Sequence, residues 1–82
     1  MAAASFEQQQ PSPGSAAERI GTLTRQQKAV LQLMARGLRN RQIGEELGVT
    51  EKTIKMHRGA LMKRLGVATA GEAMRLAIEA GF

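Results

Sequence analysis

From residue 23 onward, glycines divide the chain into four short segments, and each segment opens with a residue type that caps helices. The segments close at Gly37, Gly48, Gly66 and Gly81. Glycine often ends a helix because it adopts the left-handed conformation at little steric cost, whereas Ser, Thr and Asn often begin one. No alternating strand pattern competes with this punctuation. It therefore predicts a small all-α, four-helix (tetrahelical) domain.

Capping residues and aliphatic stripes place the four helices. The predicted N-caps are Thr24, Asn40, Thr50 and Thr69. Gln27 follows Thr24 at the spacing of a capping box, so the first helix is expected over about 25–36. In the third helix, about 51–65, aliphatic residues recur at helical spacing and define a buried face. The whole of 23–82 is expected to fold as one domain.

Residues 1–22 have a different composition, rich in Gln, Pro, Ser, Gly and Ala. Such a segment has too few large apolar side chains to offset the entropy lost on ordering. We expect a disordered leader or linker here. Linkers of this kind join domains, which favours the chain being the C-terminal part of a longer protein.

Several function classes are excluded by what the chain lacks. It has no Cys and a single His, His57, so a Cys-bearing zinc site or a His-rich metal cage is not expected. No nucleophile and base form a recognisable pair, and we predict neither enzyme activity nor a cofactor. Neither a long apolar run nor a signal peptide is present, so a cytoplasmic protein without membrane contact is expected.

The junction between the second and third helices is the first indication of function. It reads Leu47-Gly48-Val49-Thr50, a short turn with glycine where a left-handed residue is needed. This layout is typical of a helix-turn-helix. Short helix pairs also occur in all-α proteins that bind nothing, so the exposed face of the third helix has to be considered.

That third helix has a basic outward face. Residues opposite or flanking the aliphatic stripe are Lys52, Lys55, Met56, Gly59 and Lys63. Ten Lys and Arg stand against three Glu between residues 25 and 65, whereas both flanking segments are slightly acidic. A basic helix of this kind suits the DNA major groove, which is about 12 Å wide.

Individual residues keep alternative interpretations. Met56 is either an ordinary surface residue or a contact to a thymine methyl group. Gly59 is either tolerated in the helix or marks a close backbone approach. His57 is expected to be a packed residue or a phosphate contact. Arg39 and Arg41 flank a helix start, where cations oppose the helix dipole; a DNA phosphate would offset them, or Arg41 pairs within the helix with Glu45.

The stretch from residue 23 to residue 82 resembles the C-terminal DNA-binding domain of the LuxR/FixJ/NarL family. The similarity rests on the opening LT, on GLRNRQI beside the family's GLSNKEI, on TIKMH beside TVKVH, on KRLGV and on the EA pair of the last helix. By resemblance, Lys55, Met56 and Gly59 are base-reading positions. Backbone-contacting or supporting positions are Asn40, Arg41, Thr50, Lys52, Thr53 and His57. Gln27, Arg39, Gly59 and Ala70 depart from the usual family residues.

The resemblance also implies partners. A homodimer through the fourth helix and an N-terminal receiver or sensor domain are expected on this basis. Double-stranded DNA with inverted half-sites and contact with RNA polymerase are further expectations, made apart from the resemblance. Met74 and Ile78 lie four residues apart on a face that the helix does not need for its own core, so they are the expected dimer contact. Because so small a surface offers little free energy beyond the entropic cost of association, dimerisation only on DNA and dimerisation in free solution both stay open. On a monomer they would be ordinary exposed residues.

Two other functions remain open from the sequence. One is a helical protein-interaction module whose basic face meets an acidic protein. The other is a sigma-factor-like promoter reader, although the resemblance to those proteins stops at the helix-turn-helix. RNA or single-strand recognition is disfavoured because the chain has no aromatic stacking platform.

Overall fold

A computed structural model describes residues 14–82, and this part of the chain forms five helices and no strand. The helices are α1 (Ala16–Gly21), α2 (Arg25–Ala35), α3 (Asn40–Leu47), α4 (Glu51–Leu65) and α5 (Ala70–Glu79). The all-α class and the four predicted helices are confirmed. Residues 1–13, part of the predicted leader, lie outside the described residues.

Helix α1 corrects the predicted disorder of the leader at its C-terminal end. Ser15 caps the helix by accepting from the Glu18 amide at 3.2 Å. Ile20 is only 4% exposed and belongs to the hydrophobic core, where α1 packs on α5. The Arg19 guanidinium donates to the carbonyl of Leu65, the last residue of α4. The core contact of Ile20 and the hydrogen bond of Arg19 therefore order this segment, although it contains few large apolar residues.

The core lies between α2, α4 and α5, with α1 covering α5 and α3 packed on α4. Its residues are aliphatic, Ala or Met throughout. The largest fully buried side chains are Val30, Leu31, Ile43, Ile54, Leu61 and Leu65. Three of these belong to α4, and their burial fixes which side of α4 faces solvent.

The α3–α4 turn is a close backbone contact. Gly48 ends α3 in the left-handed conformation at φ 72°, as predicted. The Val49 amide donates to the Gly44 carbonyl at 2.9 Å. A Cβ placed on Gly44 would lie 2.6 Å from the Val49 carbonyl oxygen, so only glycine lets α3 approach the turn this closely. Helical spacing and capping patterns give no indication of this role for Gly44.

Three of the four predicted caps are confirmed, and the fourth is wrong. The confirmed caps are Thr24, Thr50 and Thr69. In α3 the N-cap position is Arg39, whose amide donates to Gln42 Oε1 at 2.8 Å, and no side chain caps the first amides. Asn40 is instead the first helical residue, and its side-chain oxygen accepts a hydrogen bond from Arg58 on α4.

Candidate nucleic-acid interface

The solvent face of α4 carries the residues predicted for it. Lys52, Lys55, Met56, Gly59 and Lys63 are all exposed. Met56 is 67% exposed although it is apolar. The opposite side of α4 is fixed in the core, so this face is held outward on a rigid helix.

Gly59 lies bare on this surface. Apart from its chain neighbours and the adjacent backbone of α4, no heavy atom of the described chain lies within 4 Å of the point where its Cβ would stand. A close approach within the fold is therefore excluded as the reason for this glycine. The backbone of α4 is accessible here to a molecule that lies along the helix.

The N-terminus of α4 is organised by two threonines. The Thr50 hydroxyl accepts from the Thr53 amide at 3.1 Å, and the two hydroxyl oxygens are 2.9 Å apart. Thr50 is exposed and Thr53 half-buried. His57 is also half-buried, which matches its predicted position at the margin of the buried face.

The start of α3 presents two exposed arginines, Arg39 and Arg41. Arg41 Nε lies 3.5 Å from Glu45 Oε1, so the intrahelical pair considered from the sequence is present. The two side chains are 82% and 69% exposed, and an exposed pair of this spacing contributes only about 0.3–0.5 kcal/mol. Arg41 can therefore exchange this partner for a stronger anion at little cost.

The hydrogen bond between Arg58 and Asn40 ties the start of α3 to the middle of α4. It holds Asn40, one of the predicted phosphate contacts, against α4. Sequence reasoning missed Arg58, because the distance between two helices is not encoded in the spacing within either one. Its one signal was its place in a basic segment next to His57.

The predicted dimer pair on α5 is divided by the structure. Ile78 is 74% exposed, but Met74 is half-buried and packs against the core. Ala73 and Ala77 are fully buried. Ile78 borders a shallow groove of about 270 Å³ between the C-terminal ends of α2 and α5.

Across residues 14–82 no group of three or more His, Cys, Asp or Glu could hold a metal ion. Among the helices described, none is long and apolar enough to cross a membrane.

Comparison with known proteins gives consistent matches. The family described as bacterial regulatory proteins, luxR family, matches residues 21–77. Nodulation protein W of Bradyrhizobium diazoefficiens is 38% identical over 55 residues, which cover 67% of this chain and 24% of that protein. The transcriptional regulatory protein FixJ of Azorhizobium caulinodans is 29% identical over 73 residues, covering 89% and 35%.

A solved structure, that of the response regulator StyR, superposes with a TM-score of 0.71 at 38% identity. The match covers 77% of this chain and 32% of StyR. In these comparisons the chain therefore spans between 24% and 35% of the length of its relatives.

Proposed function

Because the chain belongs to the LuxR family of bacterial regulatory proteins, we propose that it binds double-stranded DNA sequence-specifically and regulates transcription. The observation that carries this proposal is the exposed basic face of α4, fixed outward by its buried side and by the close α3–α4 turn. A helix held in this way fits the major groove. The family is one of regulators and not a class of enzymes.

In the proposed complex, α4 lies in the major groove. Lys55 and Met56 contact base edges, and the bare backbone at Gly59 lets a base approach the helix closely. The DNA backbone is contacted by Arg39, Asn40, Arg41, Thr50, Lys52, Thr53, His57 and Lys63. The uncapped amides of α3 support this assignment, since helix N-termini bind phosphate.

The proposed domain begins at Ser15, because α1 is part of the fold. The relatives are about three to four times longer than the matched region, which supports a role as the output domain of a response regulator with an N-terminal receiver or sensor domain. We further propose that the protein contacts RNA polymerase. We also propose that it acts in the cytoplasm.

A salt titration tests the function directly. A labelled duplex selected from a random pool is titrated with protein at several salt concentrations, with an unrelated duplex as control. A DNA reader loses about 0.9 log units of affinity per log unit of salt for each phosphate neutralised, and it prefers the selected duplex. Equal, weak binding to both duplexes at physiological salt would favour the protein-interaction module instead.

Lys55→Ala is expected to weaken binding to the selected duplex about tenfold, the loss of one base-edge contact, while thermal stability stays unchanged. Competition with single-base variants of the site measures the change in preference. If the mutant keeps the wild-type preference at every position, Lys55 does not read a base.

Arg41→Ala is expected to weaken binding to all duplexes about equally and to reduce the salt slope by about one phosphate. Loss of its exposed pair with Glu45 should change stability very little. The measurement is the same titration with selected and unrelated duplexes. A changed base preference at an unchanged slope would contradict a phosphate contact.

We also propose a symmetric dimer on inverted half-sites, with the two α4 helices about 34–36 Å apart and Ile78 at the contact. Ile78→Glu should abolish cooperative binding to a two-half-site duplex and leave single-half-site affinity unchanged. Ile78 suits this test better than Met74, whose partial burial would add a stability effect. Equal cooperativity of mutant and wild type in a gel shift excludes this face.

A further inference from the structure

We propose that Arg58 is a positioning residue, which orients the Asn40 side chain for the DNA backbone without itself contacting DNA. This inference rests on the proposed DNA-binding function and adds a residue that neither the motif pattern nor the α4 face includes. It concerns the one side-chain hydrogen bond that links the two helices of the helix-turn-helix among the described residues.

The Asn40 side-chain amide is held in one orientation by Arg58. Arg58 lies in the middle of α4 and Asn40 in the first turn of α3, and both are half-buried. The guanidinium of Arg58 donates to Oδ1 of Asn40. Since arginine has donors only, it must meet the oxygen of the amide and never its NH2 group.

This hydrogen bond determines what Asn40 offers to solvent. With the oxygen engaged, the NH2 group points away from Arg58 and accounts for both of the side chain's donors. Phosphate oxygens only accept hydrogen bonds. Arg58 therefore holds the Asn40 amide in the orientation that can bind phosphate. It disfavours the flipped orientation, in which the Asn40 oxygen, an acceptor, would face the phosphate.

The charge of Arg58 supports a role beyond packing. No carboxylate of the described chain pairs with the Arg58 guanidinium. Although the residue belongs to α4, its guanidinium contacts the N-terminal end of α3, where cations oppose the helix dipole. A neutral donor would hold the Asn40 oxygen as well and avoid this cost. A half-buried cation is favourable here when an anion binds the same helix start.

Asn40→Asp separates the two faces of the amide. The carboxylate keeps the acceptor for Arg58 but loses the NH2 donors, so we expect unchanged or higher thermal stability and more than tenfold weaker duplex binding. Gln42→Glu is the matched control, because it makes the same change in the same turn and keeps the acceptor used by the Arg39 amide. It should weaken binding only about twofold to threefold, by longer-range repulsion.

A double-mutant cycle then tests whether Arg58 acts through Asn40. Arg58→Ala should weaken binding about tenfold in the wild-type background and less than about twofold in the Asn40→Ala background. The salt slope should stay close to wild type, and Arg58→Lys should restore part of the affinity. Thermal melts establish that each variant is folded at the titration temperature.

Other results overturn the inference in distinct ways. An equal loss in both backgrounds, with a slope shallower by about 0.9, means that Arg58 contacts a phosphate directly. Equal effects of Asn40→Asp and Gln42→Glu mean that the Asn40 donors are not used, and this comparison stands even if Arg58→Ala does not fold. Absence of selective duplex binding by the wild type would instead contradict the proposed function.

Discussion

Gly44→Ala should lower the melting temperature of the domain by about 8–16 °C, corresponding to a loss of about 2 kcal/mol. The added Cβ would stand 2.6 Å from the Val49 carbonyl oxygen, a backbone atom that moves only with the whole turn. Relieving the contact breaks the 2.9 Å hydrogen bond from the Val49 amide to the Gly44 carbonyl. The steric clash and the lost hydrogen bond together cost more than the roughly 1 kcal/mol by which alanine stabilises a helix relative to glycine.

Gly59→Ala is the matched control and should have the opposite sign. Gly59 also lies inside a helix, but its Cβ would meet nothing within 4 Å in the described chain. Alanine should therefore stabilise the free protein by about 0.5–1 kcal/mol. Thermal unfolding of both variants without DNA measures the difference. If both glycines respond with the same sign, the close contact at the turn is not what selects Gly44.

Ile20→Ala should destabilise the domain by about 2–3 kcal/mol, near the lower end of the range for a buried isoleucine, because α1 lies at the edge of the core. Ile20 is 4% exposed and packs with the core formed by the other helices. Chemical denaturation at low protein concentration measures the free energy of unfolding. An unchanged free energy of unfolding would mean that α1 is not part of the cooperative fold.

Ile78→Ala provides the matched comparison, because it makes the same substitution at a site that is 74% exposed. Its effect on the free energy of unfolding should stay within about 0.5 kcal/mol. The contrast between the two isoleucines isolates burial from the intrinsic preference of alanine for helices.

Local chemistry explains which parts of the fold could be predicted. Thr24 and Gln27 form a capping box within one turn, and Gly48 and Gly66 end helices through their own left-handed conformation. The outward position of Lys55 follows from helical spacing relative to buried Ile54. These features depend on residues a few positions apart, and the sequence contains all of the information needed.

The features that sequence reasoning missed depend on contacts between distant segments. Asn40 looked like a cap, but Arg58, 18 residues away, engages its oxygen. Arg19 reaches Leu65 across 46 residues, so the order of α1 depends partly on the end of α4 and is not encoded in its own composition. Met74 shares its helix face with Ile78 by spacing, yet packing against the core divides them.

The position of α1 means that the boundary of the family match and the boundary of the folding unit do not coincide. The family match begins at residue 21, directly after Ile20, which is a core residue. A fragment cut at the family boundary would lack both the Ile20 side chain against α5 and the Arg19 donor to the last carbonyl of α4. Affinities measured on such a fragment would not be interchangeable with those of a fragment that begins before Ser15.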